Sequence, residues 1–157
     1  LLKDYIKQLR ERIGHMKIVM PGVRGLVIDE DGRLLLQKRA DFSTWGLPAG
    51  VVDPGESALE ALRREVKEET GITVLRAEPF GLYSDPKYSV TYPNGDEVQT
   101  FTMAFLVREW TGSVAADGVE AVDAGFFPLD DLPTPLYPIH VESIGDYRSY
   151  DGTFIVK

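Results

Sequence analysis

The chain has 157 residues, 43% of them hydrophobic and 27% charged, a composition that suits one globular domain with its own core. Its net charge of −8 argues against broad electrostatic contact with nucleic acid or an anionic membrane, and leaves open a phosphorylated small molecule bridged by a divalent cation. The absence of cysteine removes disulfides, thiolate metal sites and cysteine nucleophiles, and makes the cytoplasm the expected location. No apolar run approaches the roughly 18–20 residues that span a bilayer. The early charges of Lys3 and Asp4 are unlike a signal peptide.

In chain order, Leu2, Tyr5, Ile6, Leu9 and Ile13 recur at helical spacing before Gly14, so residues 1–13 are expected to form an amphipathic helix. It would lie on the domain or on a second subunit. Residues 23–28 and 33–39 read as two strands joined by the turn residues Asp29, Asp31 and Gly32, hence a hairpin. A polar loop and a stretch rich in turn formers follow, from Asp41 to Gly50. Residues 56–70 lack Gly and Pro and form a helix. Ser57 and Glu60 make a capping box, and Gly71 is its C-terminal stop. Strands are expected over residues 72–77, 80–83 and 98–110, the last with one strongly apolar face of Phe101, Met103, Phe105 and Val107. Pro93-Asn94-Gly95-Asp96 is a turn. Residues 115–119 are loop, and residues 128–132 a short helical turn. Pro133, Pro135 and Pro138 mark an ordered bend. A last helix (140–147) and a last strand (153–156) complete a mixed α/β domain.

The helix over residues 56–70 carries the chemistry. At roughly 100° per residue, Glu65, Glu68 and Glu69 share a face because they stand at i, i+3 and i+4, while Leu59, Leu62 and Val66 form a separate apolar stripe. Three like charges so close need either water or compensation. On periodicity alone the cluster is a solvated acidic face or a site for a hard divalent cation.

The flanking residues choose between these. Gly50, Glu56 after five residues, Arg64-Glu65 after seven more, then Val66, Glu68-Glu69, Gly71 and Ile72 resemble the Nudix signature at every defining position. Leu34–Arg39 before it, Trp45-Gly46-Leu47-Pro48 leading into it, and Phe126-Phe127-Pro128-Leu129 with Asp131-Leu132-Pro133 after it extend the resemblance from about Val23 to Pro133. The chain is identified as a member of the Nudix hydrolase family.

The resemblance implies an α/β/α sandwich around a mixed sheet, here residues 17–157, preceded by the N-terminal helix in residues 1–16. It implies that Glu65, Glu68 and Glu69, with the backbone carbonyl of Gly50, hold Mg²⁺, with Mn²⁺ as a substitute. Glu69 and Glu65 are expected nearest the reaction, and Arg64 and Glu56 are expected to pair and hold the loop against the helix. It also implies hydrolysis of a diphosphate linkage in a nucleoside diphosphate joined to a moiety X, giving a nucleoside monophosphate and phosphorylated X. A nucleoside triphosphate pyrophosphatase that clears damaged nucleotides is the alternative. A non-catalytic nucleotide-sensing module is less favoured, because such modules lose signature carboxylates and this chain keeps them. The isomerase relatives that use a catalytic cysteine are set aside, since there is none.

Outside the signature, Glu120 occupies the place of a late-loop carboxylate that serves as base or metal ligand, with Asp117 and Asp123 as competitors and a solvated loop acid as the plain alternative. Arg39 reads either as a bidentate phosphate clamp or as a solvated strand end. Tyr88, about sixteen residues past the signature, matches a tyrosine of Nudix enzymes that cut dinucleoside polyphosphates, although Tyr83 and Tyr92 lie near it. Pro86 falls slightly early for the proline that marks ADP-ribose cleavage. His15 and His140 are expected at helix ends or on the surface. The expected partner is a nucleotide-derived small molecule, not nucleic acid or membrane, and the N-terminal helix permits a homodimer.

Overall fold

The computed structural model describes residues 3–157. Helix α1 spans Lys3–Ile13; Leu1 and Leu2, the start of the expected helix, lie outside the described residues. The strands are β1 (Ile18–Val27), β2 (Leu34–Arg39), β3 (Trp45–Gly46), β4 (Ala49–Val51), β5 (Thr73–Tyr83), β6 (Ser89–Thr91), β7 (Glu97–Thr111), β8 (Ala121–Phe127) and β9 (Ile155–Val156). Helices α2 (Ala58–Thr70) and α3 (Pro138–Arg148) complete the domain, with a short 3₁₀ turn at Pro86–Tyr88.

One sheet runs β4-β1-β7-β5-β9, with β6 also on β7, and a smaller one runs β3-β2-β8. The pairs β1–β7 and β5–β9 are parallel and the others antiparallel, so the sheet is mixed. Strand alternation feeds two cores. Val23 and Val27 of β1 and Leu35 of β2 pack with Leu62 and Val66 of α2. Leu26 of β1 and Leu34 and Leu36 of β2 face the other way, toward Phe80, Tyr83 and Ile144 of α3. Sheets buried on both faces between helices make the α/β/α sandwich.

The structure departs from the expected elements where tertiary pairing overrides local pattern. β1 and β2 are joined by the expected turn, with the Gly32 N–H donating to the Asp29 carbonyl at 3.1 Å. They are not a hairpin, however. Among the described residues their backbones pair at the Ile28–Leu34 bridge and the strands then enter different sheets, because each is apolar on both faces and each takes separate partners. The two strands expected over 72–77 and 80–83 are one strand, β5, which passes Pro79 through register shifts. In β7 neither face is the apolar one: Ala104, Phe105, Leu106 and Val107 are all buried, whereas Phe101 is exposed and Thr102 is buried.

The segment leading into α2 is built as expected. Ser57 accepts from the Glu60 N–H, and Glu60 reaches back to the Ser57 N–H at 2.8 Å. Gly71 ends the helix at φ 77°, where a side chain would also place a Cβ 2.8 Å from the Ser113 carbonyl. Helix α1 is tied to the β6–β7 turn: Arg10 donates to the Glu97 carbonyl at 2.9 Å, and His15 Nδ1 lies 2.8 Å from Asp96. Among the described residues no helix is long and apolar enough to cross a membrane.

Candidate active site

The carboxylates gather where α2 passes under β4. Glu65, Glu69 and Glu120 each bring an oxygen within 4.8 Å of the others. Glu65 and Glu69 are buried, and Glu120 is exposed. The close fit explains Gly50: a Cβ there would stand 2.0 Å from the Glu65 carboxyl carbon, so any other residue displaces that side chain. Glu69 accepts a hydrogen bond from the Ala49 N–H at 3.0 Å. Burial pushes the Glu65 carboxyl up to about 7, and raises Glu69 well above the usual range, with Glu65 and Glu120 adding like charge.

Glu68 stands apart from this trio. It is half exposed and lies 3.5 Å from Arg64. Helical geometry gives the reason: from Glu65, Glu69 lies about 40° to one side and Glu68 about 60° to the other. Only the Glu69 side turns under β4.

Arg64 binds this segment together. It donates to Glu56 at 2.6 and 2.9 Å, to Glu65 at 2.7 Å and to the Val51 carbonyl at 3.0 Å, and lies 3.1 Å from Asp53. The pairing with Glu56 was expected; the contacts to Asp53 and Glu65 were not. Glu56 is held below its usual pKa by the Arg64 hydrogen bonds.

These groups line one end of a cleft of about 480 Å³. Arg39 also lines it. Its guanidinium is paired with Asp41 through two hydrogen bonds, at 2.9 and 2.6 Å, and lies 4.4 Å from the Tyr137 ring centroid. Tyr88 does not line the cleft. It is buried in the core against Tyr83, and its hydroxyl donates to Glu142. The tyrosines that do line it are Tyr92 and Tyr137, with Phe42 packed against both. Tyr92 was one of three tyrosines in a row of candidates, while nothing in the sequence marked Tyr137. Asp117 caps its own loop, accepting from the Val119, Glu120 and Ala121 N–H groups, and Asp123 accepts from Ala124.

His140 is not at the surface. It is fully buried, and its Nδ1 accepts from the Leu47 N–H at 3.0 Å. That bond requires the neutral ring, and burial together with Arg24 and Arg39 depresses its pKa well below the usual value. Gly46 makes room for it, since a Cβ there would come within 2.7 Å of Nδ1. Beside it Arg24 is buried, a second cleft residue that the sequence pattern did not single out.

The NUDIX domain matches residues 19–147. The chain is 35% identical over 124 residues to a putative 8-oxo-dGTP diphosphatase of Bacillus subtilis, covering 79% of this chain and 76% of that one. It is 35% identical over 127 residues to an ADP-ribose pyrophosphatase of Methanocaldococcus jannaschii, covering 79% and 70%. Its fold is similar to the crystal structure of a MutT NUDIX hydrolase from Burkholderia pseudomallei, with a TM-score of 0.68, 28% identity and coverage of 82% and 97%. With the signature folded into a loop and helix that bring two of its glutamates together under β4, the chain belongs to the Nudix hydrolase family, enzymes acting on phosphorus-containing anhydrides.

Proposed function

We propose that the protein hydrolyses the diphosphate linkage of a nucleoside diphosphate joined to a second moiety X, giving a nucleoside monophosphate and phosphorylated X. Mg²⁺ is the working ion and Mn²⁺ a substitute. The observation that carries the reading is the trio Glu65, Glu69 and Glu120 at one end of a cleft large enough for a nucleotide.

The donor set fits a hard cation. It is all oxygen, two of its carboxylates are buried with raised pKa values, and compensation for their charge is what a divalent ion supplies. Glu65 and Glu69 would hold it with the Gly50 carbonyl, and Glu68 would reach it from the rim. When bound, the ion neutralises diphosphate oxygens and lowers the pKa of water.

The remaining work belongs to the chain's own residues. Water attacks one phosphorus, the bridging phosphorus–oxygen bond breaks, and a carboxylate at the open edge, Glu120, accepts the proton. Arg64 takes no part in the chemistry; it fixes the loop that carries Gly50. Arg39 reaches a phosphate by exchanging Asp41 for it, since both accept the same two-pronged hydrogen bond.

A second reading, a nucleoside triphosphate pyrophosphatase, draws on the name of the Bacillus subtilis relative. Product analysis by phosphorus NMR separates the two. Incubation with paired sugar nucleotides and nucleoside triphosphates, each with Mg²⁺ and Mn²⁺, yields phosphorylated X in the first case and pyrophosphate from a triphosphate in the second. Absence of turnover on every substrate with either ion would overturn both.

A further inference from the structure

The carboxylate trio is shared between the two sheets. Glu65 and Glu69 lie on α2, beside Gly50 of β4 in the larger sheet, whereas Glu120 stands just before β8 of the smaller one. The Glu120 carbonyl also accepts from the Ala40 N–H at 2.9 Å, at the end of β2. Between β3 and β4 the chain passes from the smaller sheet to the larger through two buried residues, Leu47 and Pro48. The next two residues already belong to the site. The Ala49 N–H donates to Glu69 at 3.0 Å, and Gly50 leaves room for the Glu65 carboxylate. How this crossing is held therefore bears on how the two halves of the trio meet.

Proline has no N–H, so the crossing has one amide donor, that of Leu47. Its acceptor is a side chain, His140 Nδ1, reaching across from the first turn of α3. On the other side the Pro48 carbonyl accepts from the Gly25 N–H at 2.9 Å, so the crossing is tied to β1 and to α3. The imidazole is itself fixed. It is 2% exposed and meets the Tyr137 ring edge-on at 4.9 Å, while the Tyr137 N–H donates to the Trp45 carbonyl at 2.7 Å, just before the crossing. Burial keeps the ring neutral, so Nδ1 stays an acceptor. A buried N–H without an acceptor is costly, so removing Nδ1 favours a shifted crossing over one left in place.

Building on the proposed metal site, we infer that His140 is a positioning residue for it. By accepting from Leu47 it fixes the Leu47–Pro48 crossing, and through the crossing the placement of the Gly50 carbonyl and the Ala49 N–H against the carboxylates. His140 needs no contact with substrate to do this.

The test uses the full chain and Mn²⁺ alone, with binding read from the paramagnetic resonance signal of the free ion. His140→Asn keeps an acceptor where Nδ1 stands, and His140→Leu has none. His140→Leu should weaken Mn²⁺ binding by about 10-fold or more, while His140→Asn stays within about threefold of the wild type. Hydrogen exchange at the Leu47 amide should be slow in the wild type and His140→Asn and fast in His140→Leu. A merely structural role would weaken both variants alike, in step with their melting temperatures, because both lose the ring. Unchanged Mn²⁺ affinity in His140→Leu, or an equal loss in His140→Asn, overturns the inference. If either variant fails to fold, the wild type decides: Mg²⁺ should slow exchange at the Leu47 amide, since a bond that favours metal binding is favoured by the metal in turn. Exchange indifferent to Mg²⁺ would then overturn it. A wild type that binds no Mn²⁺ sinks the proposed metal site and this inference together, whereas one whose binding ignores the acceptor at residue 140 sinks the inference alone.

Discussion

The two ends of the cleft are unbalanced in opposite senses. At one end Asp53, Glu56, Glu65 and Glu68 all stand within 3.5 Å of Arg64, and Glu69 and Glu120 add their charge nearby. At the other, Arg24 is buried against the Tyr83 ring and donates to Ser143 Oγ. The first end is rich in carboxylates, of which Asp53, Glu65 and Glu69 are buried, and the second holds a buried guanidinium. The ends also differ in how they are made. Most of the acidic end comes from one stretch, the β4 loop and α2. The other end is assembled from β1, the β6–β7 turn, β7 and the segment opening α3.

The sharpest way to break the comparison is at Glu69. Glu69→Gln keeps the shape and an acceptor for the Ala49 N–H while removing one charge. It should lower kcat by roughly 10²–10⁴-fold and leave the melting temperature unchanged or higher, since a buried charge is gone. Wild-type turnover in this variant would detach the carboxylate trio from the chemistry. Next comes Arg64. Arg64→Ala leaves Glu56 and Asp53 partly buried without their cation, and should lower stability by about 3 kcal/mol in urea unfolding. Arg64→Lys should restore only part of this, because one ammonium cannot reproduce the two-pronged contact with Glu56 and the bond to the Val51 carbonyl.

The same asymmetry decides what could be read in advance. Helix α2, its capping box and the pairing of Arg64 with Glu56 were legible because they depend on residues within about two helical turns or one loop of each other. Glu68 was grouped with its neighbours because spacing says which residues share a face, but not which side of that face another strand covers. Arg24, His140 and Tyr137 were not legible. Their roles arise from contacts between β1, α3 and the loop before it, more than a hundred residues apart in the case of Arg24 and Ser143. Tyr88 was chosen by counting from the signature, and the 3₁₀ turn at Pro86–Tyr88 carries it into the core, leaving Tyr92 at the cleft. The β1–β2 hairpin failed for a related reason: a turn sets a reversal, while partners elsewhere decide whether the strands stay together.

The acidic end can be sharpened further by pH. The Glu65 pKa is raised by burial to about 7, so the folded protein without metal binds that proton more tightly than the unfolded chain does. Stability from this source is fully present below about pH 4.5 and is lost as pH rises through 7, amounting to about 3 kcal/mol. Between pH 5 and 8, melts in EDTA should therefore lose stability relative to melts in Mg²⁺, the opposite contribution of the buried neutral His140 being common to both. A cation competes for the same carboxylates and stabilises most where they are ionised. Parallel pH profiles with and without Mg²⁺ would argue that the ion binds elsewhere.

The smallest expected effect comes from Ser57. Its hydroxyl caps α2 and completes the reciprocal bond with Glu60, so Ser57→Ala should lower stability by about 1 kcal/mol. The cap fixes where α2 begins, but it touches neither Glu65 nor Glu69, and the Arg64 contacts still anchor the loop to the helix. Activity measured well below the melting temperature should therefore keep its Mg²⁺ dependence. A change in Mg²⁺ dependence would mean that the first turn of α2 sets the position of the carboxylates more tightly than Arg64 does.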